Sequence, residues 1–333
     1  MTPLWLWAAT VAGILALVAL DFLTVSKTPH EVGVAEAARW SVFYIALAVV
    51  FGVGVFYFAG SDSGTEFFAA YLVEKSLSVD NLFVFAIILT QFAVPSNLQQ
   101  RVLLLGIVLA LAFRAVFIAI GAAALASFAF TFVIFGALLI WTGIQLARHR
   151  NEDPDPSDNI LVRTIRRRFP FTDDYHGNAM FIRDQGKRVA TPMLLVIIAI
   201  GSTDVLFALD SIPATFGVTQ DPYLVFTANA FALFGLRALY FLLKGLLDRL
   251  VYLSLGLAAI LVFIGVKLVL TWAHETWSTV PKIPTALSLG VIAVILAIAT
   301  VASLVKSSRD PSLTAHAGTV RKPDRDDAPP TPR

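Results

Sequence analysis

The chain has no cysteine, and only 14% of its 333 residues are charged. The first absence excludes disulfides and thiolate metal ligation, so any metal would have to be held by oxygen or imidazole; the redox compartment stays open. The second, together with 57% apolar residues and a mean hydropathy of +0.77, excludes an ordinary soluble domain and points to a polytopic membrane protein. Histidine is missing from every stretch read below as a membrane span, which argues against a zinc or nickel site. Gly52-Val53-Gly54 lacks the remaining glycine and the strand context of a dinucleotide fingerprint, and His274-Glu275 lacks the second histidine of the zinc protease motif. With no nucleotide site and no activated nucleophile in view, the chain is expected to be neither an enzyme nor a nucleic-acid binder.

What the chain does have is apolar length. Spans of about 20 residues are predicted at 4–25, 41–60, 65–90, 102–125, 128–147, 190–217, 224–244, 250–271 and 284–305. The start lacks the positive region of a secretory signal, so the first segment is read as a retained helix. Placing the amino terminus outside puts Lys27, Arg39, Arg101, the run from Arg148 to Arg188, Lys244, Arg249 and the tail from Lys306 on the cytoplasmic side, leaving only Lys282 outside. A multi-pass protein of the plasma membrane with a cytoplasmic carboxyl terminus is therefore expected. Trp5, Trp7, Trp40, Trp272 and Trp277 fit interfacial belts.

Two of these segments carry acids at the same spacing. Laid over each other, Glu74 matches Asp204, Asp80 matches Asp210, and Asn81 matches Ser211. A carboxylate at membrane depth costs roughly 3 kcal/mol or more unless it faces a cavity or a partner. Four acids in two matched helices thus predict a cation site, with Glu74, Asp80, Asn81, Asp204, Asp210 and Ser211 as its ligands. Each acidic segment is followed by an apolar one with an arginine near its middle, Arg114 and Arg237. The third segments also align, Trp141 to Leu146 against Phe263 to Leu268.

The predicted fold is all-α. Two amino-terminal spans (1–64) precede a three-helix repeat (65–147), a basic cytoplasmic loop (148–189), a second three-helix repeat (190–271), a last span (272–306) and a disordered tail (307–333). Three spans per repeat force the copies into opposite orientations, the inverted architecture in which secondary transporters bind cargo near mid-membrane. Within the loop, residues 160–168 have the pattern of a short basic amphipathic helix for anionic lipid, although a solvated connector is the favoured reading.

Six residues separate the acids of each pair, which turns them about 120° apart on an ideal helix. Either one member faces the cavity while the other pairs with a base, or the helix breaks between them. Pro213 removes a bond to the Leu209 carbonyl and makes a break more plausible in the second copy. Lys75, Arg114, Arg237 and Lys267 can neutralise the four acids. A purely structural ion-pair network is one outcome; a mixed site, in which some acids bind a cation and the bases balance its empty form, is expected, because ion pairs are costly glue in a membrane. Oxygen ligands favour manganese, magnesium or calcium. Asp21, near the end of the first span, is read as solvated at the interface.

At these residues the chain resembles the TerC family of integral membrane proteins, associated with tellurium resistance and, in its Alx-like members, with manganese export. Glu74 to Phe85 is similar to the family's first signature and Asp204 to Ala214 to its second. Asn229 to Tyr240 is similar to a third, with Ala228 standing where a serine is expected. The resemblance spans roughly residues 35 to 305. It implies efflux of a divalent cation, Mn2+ foremost, as cargo rather than cofactor. It also allows a different reading, a membrane scaffold that docks cytoplasmic stress-response proteins through residues 148–189.

Overall fold

Runs of leucine, valine, alanine, isoleucine and phenylalanine, with proline mostly confined to their edges, satisfy every backbone group internally by forming helices, as a bilayer requires. The computed structural model describes residues 3–26, 32–149, 164, 170–172, 174–184, 187–243, 250–277, 280–281 and 283–309. The helices are α1 (Leu4–Ser26), α2 (Val34–Ala59), α3 (Ser61–Gln91), α4 (Ser96–Ser127), α5 (Thr131–Arg148), α6 (Pro192–Phe216), α7 (Pro222–Phe234), α8 (Leu236–Leu243), α9 (Leu253–Thr276) and α10 (Thr285–Arg309). Each predicted span finds its helix, with α7 and α8 sharing one span, Pro222–Leu242, interrupted at Gly235. Among the described residues, eight stretches are long and apolar enough to cross a membrane. The exception is α3: at 31 residues it has the length, but Glu74, Lys75 and Asp80 fall within its most apolar part.

The expected break at Pro213 does not occur. Helix α6 runs from Pro192 through Phe216 with Pro213 inside it. Pro213 stands in the last turn, where one missing ladder bond disturbs little. The Gly217 N–H still reaches the Pro213 carbonyl at 2.9 Å, and Thr215 Oγ1 donates to the Ser211 carbonyl at 2.9 Å. The acidic stretch of α3 is likewise continuous. Interruption falls instead at Gly235, which the reading of the sequence does not single out.

An unexpected element lies in the connector. Strands β1 (Phe181–Asp184) and β2 (Lys187–Ala190) form an antiparallel hairpin, with Ile182 opposite Val189. Tyr175 Oη donates to the Phe92 carbonyl at 2.7 Å, tying the connector to the end of α3. The predicted basic helix at 160–168 falls, apart from Thr164, outside the described residues, as does the tail beyond Arg309.

Helix α3 is the hub. It packs against α2, α6, α7 and α10, while α4 packs on α6 and α5 on α9. The α5–α9 contact brings two backbones close together. A methyl group on Gly136 would stand 2.7 Å from the Gly265 carbonyl oxygen, and one on Gly265 would stand 2.7 Å from the Gly136 carbonyl oxygen. Likewise, Gly143 would meet the Ala258 carbonyl oxygen at 2.8 Å. Small residues one heptad apart on both helices allow this backbone contact, the usual device of membrane helix pairs. The outer helices instead present bare apolar side chains such as Val50, Phe58, Val294 and Ile298, a surface suited to lipid.

Candidate functional site

The interior contact of α3, α4 and α6 is polar. Arg114 enters from α4, Glu74 from α3 and Asp204 from α6, and all three are 0% exposed. Arg114 Nε donates to Asp204 Oδ2 at 3.2 Å and Nη2 to Asp204 Oδ1 at 3.1 Å, a bidentate fork. Nη1 donates to Glu74 Oε1 and, at 3.2 Å, to Ser211 Oγ. With its amide turned so that both of its ends are satisfied, Asn81 accepts from Arg114 Nη2 at 3.3 Å and donates to the Leu77 carbonyl at 3.1 Å. All five guanidinium N–H groups are then engaged. Thr215 Oγ1 completes the cluster by donating to Glu74 Oε2 at 3.2 Å.

Four of the six predicted ligands, Glu74, Asn81, Asp204 and Ser211, therefore converge, and they converge on a guanidinium. Two carboxylates against one arginine leave one negative charge in the cluster when both are ionised. Asp210, about one and two-thirds turns beyond Asp204 on α6, is half-buried, and no side chain of a described residue donates to it. The side chain of Asp80 lies outside the described residues. Among the described residues, no group of three or more Asp, Glu or His side chains is placed to hold a metal ion. The physical reason is Arg114, whose fork commits the oxygens of Asp204 and one oxygen of Glu74.

The four predicted bases separate in the same way. Arg114 meets an acid on α3 and one on α6. Lys75 donates its Nζ to the Ala232 carbonyl on α7 at 3.1 Å rather than to a carboxylate. Lys267 is buried on α9. Arg237 Nη2 pairs with Asp21 Oδ1 on α1 at 2.5 Å, and Tyr44 Oη on α2 donates to the same oxygen at 2.9 Å. The reading of Asp21 as solvated is thus overturned. It is 3% exposed, with a cation from α8 and a hydroxyl donor from α2 as its partners.

Thr215 and Tyr44 went unnoticed in the sequence. Thr215 had a usable signal: it stands four residues after Ser211, on the same helical face. Tyr44 had none, since nothing local links it to an acid 23 residues earlier.

Comparison with known proteins places these residues in a family context. The model of the integral membrane protein TerC family matches residues 59–311. A Myxococcus xanthus chain named "Uncharacterized membrane protein STKORF319" is 42% identical over 315 residues, covering 95% of this chain and 97% of that one. A Salmonella typhi chain named "Putative membrane-bound redox modulator Alx" is 37% identical over 324 residues, covering 94% and 98%. Its Escherichia coli K12 namesake is 38% identical over 300 residues, covering 87% and 91%. No solved structure matches. With its two acidic helices, the arginine between them and a family match over most of its length, the chain belongs to the TerC family of integral membrane proteins.

Proposed function

We propose that this membrane protein exports a divalent cation, manganese foremost, through a site shared by the α3 and α6 acids. The observation that carries the reading is the Arg114 fork. One guanidinium spans an acid from each of two matched helices, in the interior and with all its donors used. Such an arrangement holds an empty cation site close to neutrality. A divalent cation entering at Asp210 and Asp80 competes for Glu74 and Asp204, and release of Arg114 is the conformational step that couples binding to movement.

Opposed repeats would supply that movement. The reading of 65–147 and 190–271 as inverted copies is supported by a reciprocity in the packing. In the sequence alignment Gly143 matches Gly265, and one heptad earlier Gly136 matches Ala258. Gly136 meets Gly265, while Gly143 meets Ala258. A contact from i to the mate of j, together with one from j to the mate of i, is the pattern of a two-fold relation. The pairings of α3 with α7 and α4 with α6 follow the same rule. Under this reading the amino terminus lies outside and the connector and carboxyl terminus in the cytoplasm of a plasma membrane, as the lysines and arginines distribute.

The test is manganese flux into vesicles carrying the purified protein. Asp80→Asn and Asp210→Asn each keep side-chain volume and remove a charged ligand, so each should abolish flux while the protein still inserts. A wild-type protein that moves no divalent cation would leave the scaffold reading, with cytoplasmic stress-response proteins as partners, as the better account. Normal flux by both variants would remove the carboxylate site.

A further inference from the structure

The hairpin in the connector carries a charge arrangement that the Arg114 cluster does not use. In the β1–β2 register Arg183 stands directly opposite Arg188. Directly opposite residues of an antiparallel pair share one face with Cβ atoms about 4.5–5.5 Å apart, and like charges so placed destabilise the pairing. Both arginines are exposed, and among the described residues neither pairs with a carboxylate. Phe181, two residues before Arg183 and on the same face, is 52% exposed.

The repulsive pair is held in place by its surroundings. Thr191 Oγ1 donates to the Ala179 carbonyl at 2.6 Å, the Thr191 N–H to the Met180 carbonyl at 3.0 Å, and the Ala190 N–H to the Pro170 carbonyl at 2.9 Å. Thr191 immediately precedes α6, a helix long and apolar enough to cross a membrane, and Tyr175 ties the connector to the end of α3. Arg188 lies three residues before Thr191, about 10 Å at a strand's rise. The arginines therefore stand within a side chain's reach of the polar layer, about 5–7 Å deep, that borders the hydrocarbon core.

Charge and position together select the ligand. Guanidinium forks match phosphate oxygens bidentately, and one phosphate between two of them turns a repulsion into a shared attraction. The exposed phenyl ring beside them suits the boundary between headgroup and acyl chain better than water. We propose that Arg183, Arg188 and Phe181 form a docking surface for an anionic phospholipid, whose headgroup phosphate sits between the two arginines. The hairpin thereby pins the connector to the bilayer beside the ends of α3 and α6. This surface is separate from the cation site and does not depend on the transport reading.

Thermal melting of the full chain, purified in detergent, tests this without reference to transport. Melting is compared with added phosphatidylcholine, phosphatidylglycerol or soluble glycerol phosphate at equal ionic strength. The wild type should melt highest in phosphatidylglycerol, and its gain over phosphatidylcholine should saturate. Combining Arg183→Gln with Arg188→Gln should remove most of that gain. In phosphatidylcholine, Arg183→Gln alone should melt no lower than the wild type, because it relieves a like-charge repulsion. Combining Lys306→Gln with Arg309→Gln takes the same charge from the exposed end of α10 and should keep the gain. An equal loss by that second pair would reduce the effect to the general attraction of a basic surface and overturn the proposal. An equal gain from glycerol phosphate, the mark of a free-anion site, would overturn it too. So would the absence of any gain from phosphatidylglycerol, which would leave the face to an acidic protein partner.

Discussion

Arg114 and Arg237 stand at positions that match when residues 65–147 are laid over 190–271, yet their surroundings have little in common. Arg114 is enclosed by α3, α4 and α6, spends every donor, and holds an acid from each repeat. Arg237 follows the Gly235 interruption and turns outward to Asp21 on α1, a helix outside both repeats, where Tyr44 shares the same carboxylate oxygen. One arginine joins the halves to each other; the other joins the second half to its flanking helices. Matching positions in the sequence thus do not fix matching partners: a buried guanidinium takes whichever carboxylate the neighbouring helices bring within reach.

The largest expected effect breaks that comparison at its stronger end. Arg114→Gln strands two buried carboxylates and should lower stability by about 3–5 kcal/mol, the usual result of breaking a buried pair from one side. Arg237→Gln strands one carboxylate that still keeps its tyrosine, and should lose about 1.5–3 kcal/mol. Chemical or thermal unfolding in micelles gives both values. Adding Asp204→Asn should restore much of the first loss and none of the second. If the two arginines proved equally costly to remove, the asymmetry of their surroundings would have no energetic meaning.

A second test addresses the place where the halves do match. Gly143→Ala and Gly265→Ala, at matched positions of the alignment, each push a methyl group against a carbonyl oxygen of the facing helix, that of Ala258 and that of Gly136, and each should cost about 1–3 kcal/mol as over-packing. The two values should agree closely, since a two-fold relation makes the contacts equivalent. Strongly unequal losses would argue against a two-fold relation at this interface.

The smallest effects concern the hydroxyls that attend each arginine's acid. Thr215→Val removes the bond to Glu74, and Tyr44→Phe the bond to Asp21, so each should lower stability by about 1 kcal/mol. In a flux assay only Thr215→Val should also change the apparent affinity for the divalent cation, because only Glu74 belongs to the proposed site. An equal shift by Tyr44→Phe would extend the site to the Asp21 network.

The sequence by itself determined the membrane class, the helix positions and the matching of Glu74 with Asp204, because hydropathy, helical length and residue spacing are local properties read along one chain. It also singled out Glu74, Asn81, Asp204, Ser211 and Arg114, which the structure brings together, since charges so costly in an apolar segment must find partners. Which partners they find was decided only by tertiary structure. Glu74, Asp204, Ser211 and Asn81 meet Arg114 because α3 and α4 both pack against α6, whereas Arg237 on α8 reaches Asp21 on α1. The position of the helix interruption was settled the same way. Pro213 is a local signal whose effect a last-turn placement absorbs, while Gly235 gives way where Lys75 arrives from another helix to take the Ala232 carbonyl. Long-range pairing of a few buried charges depends on the register between helices, and that register is fixed by packing across the whole bundle rather than by any one segment.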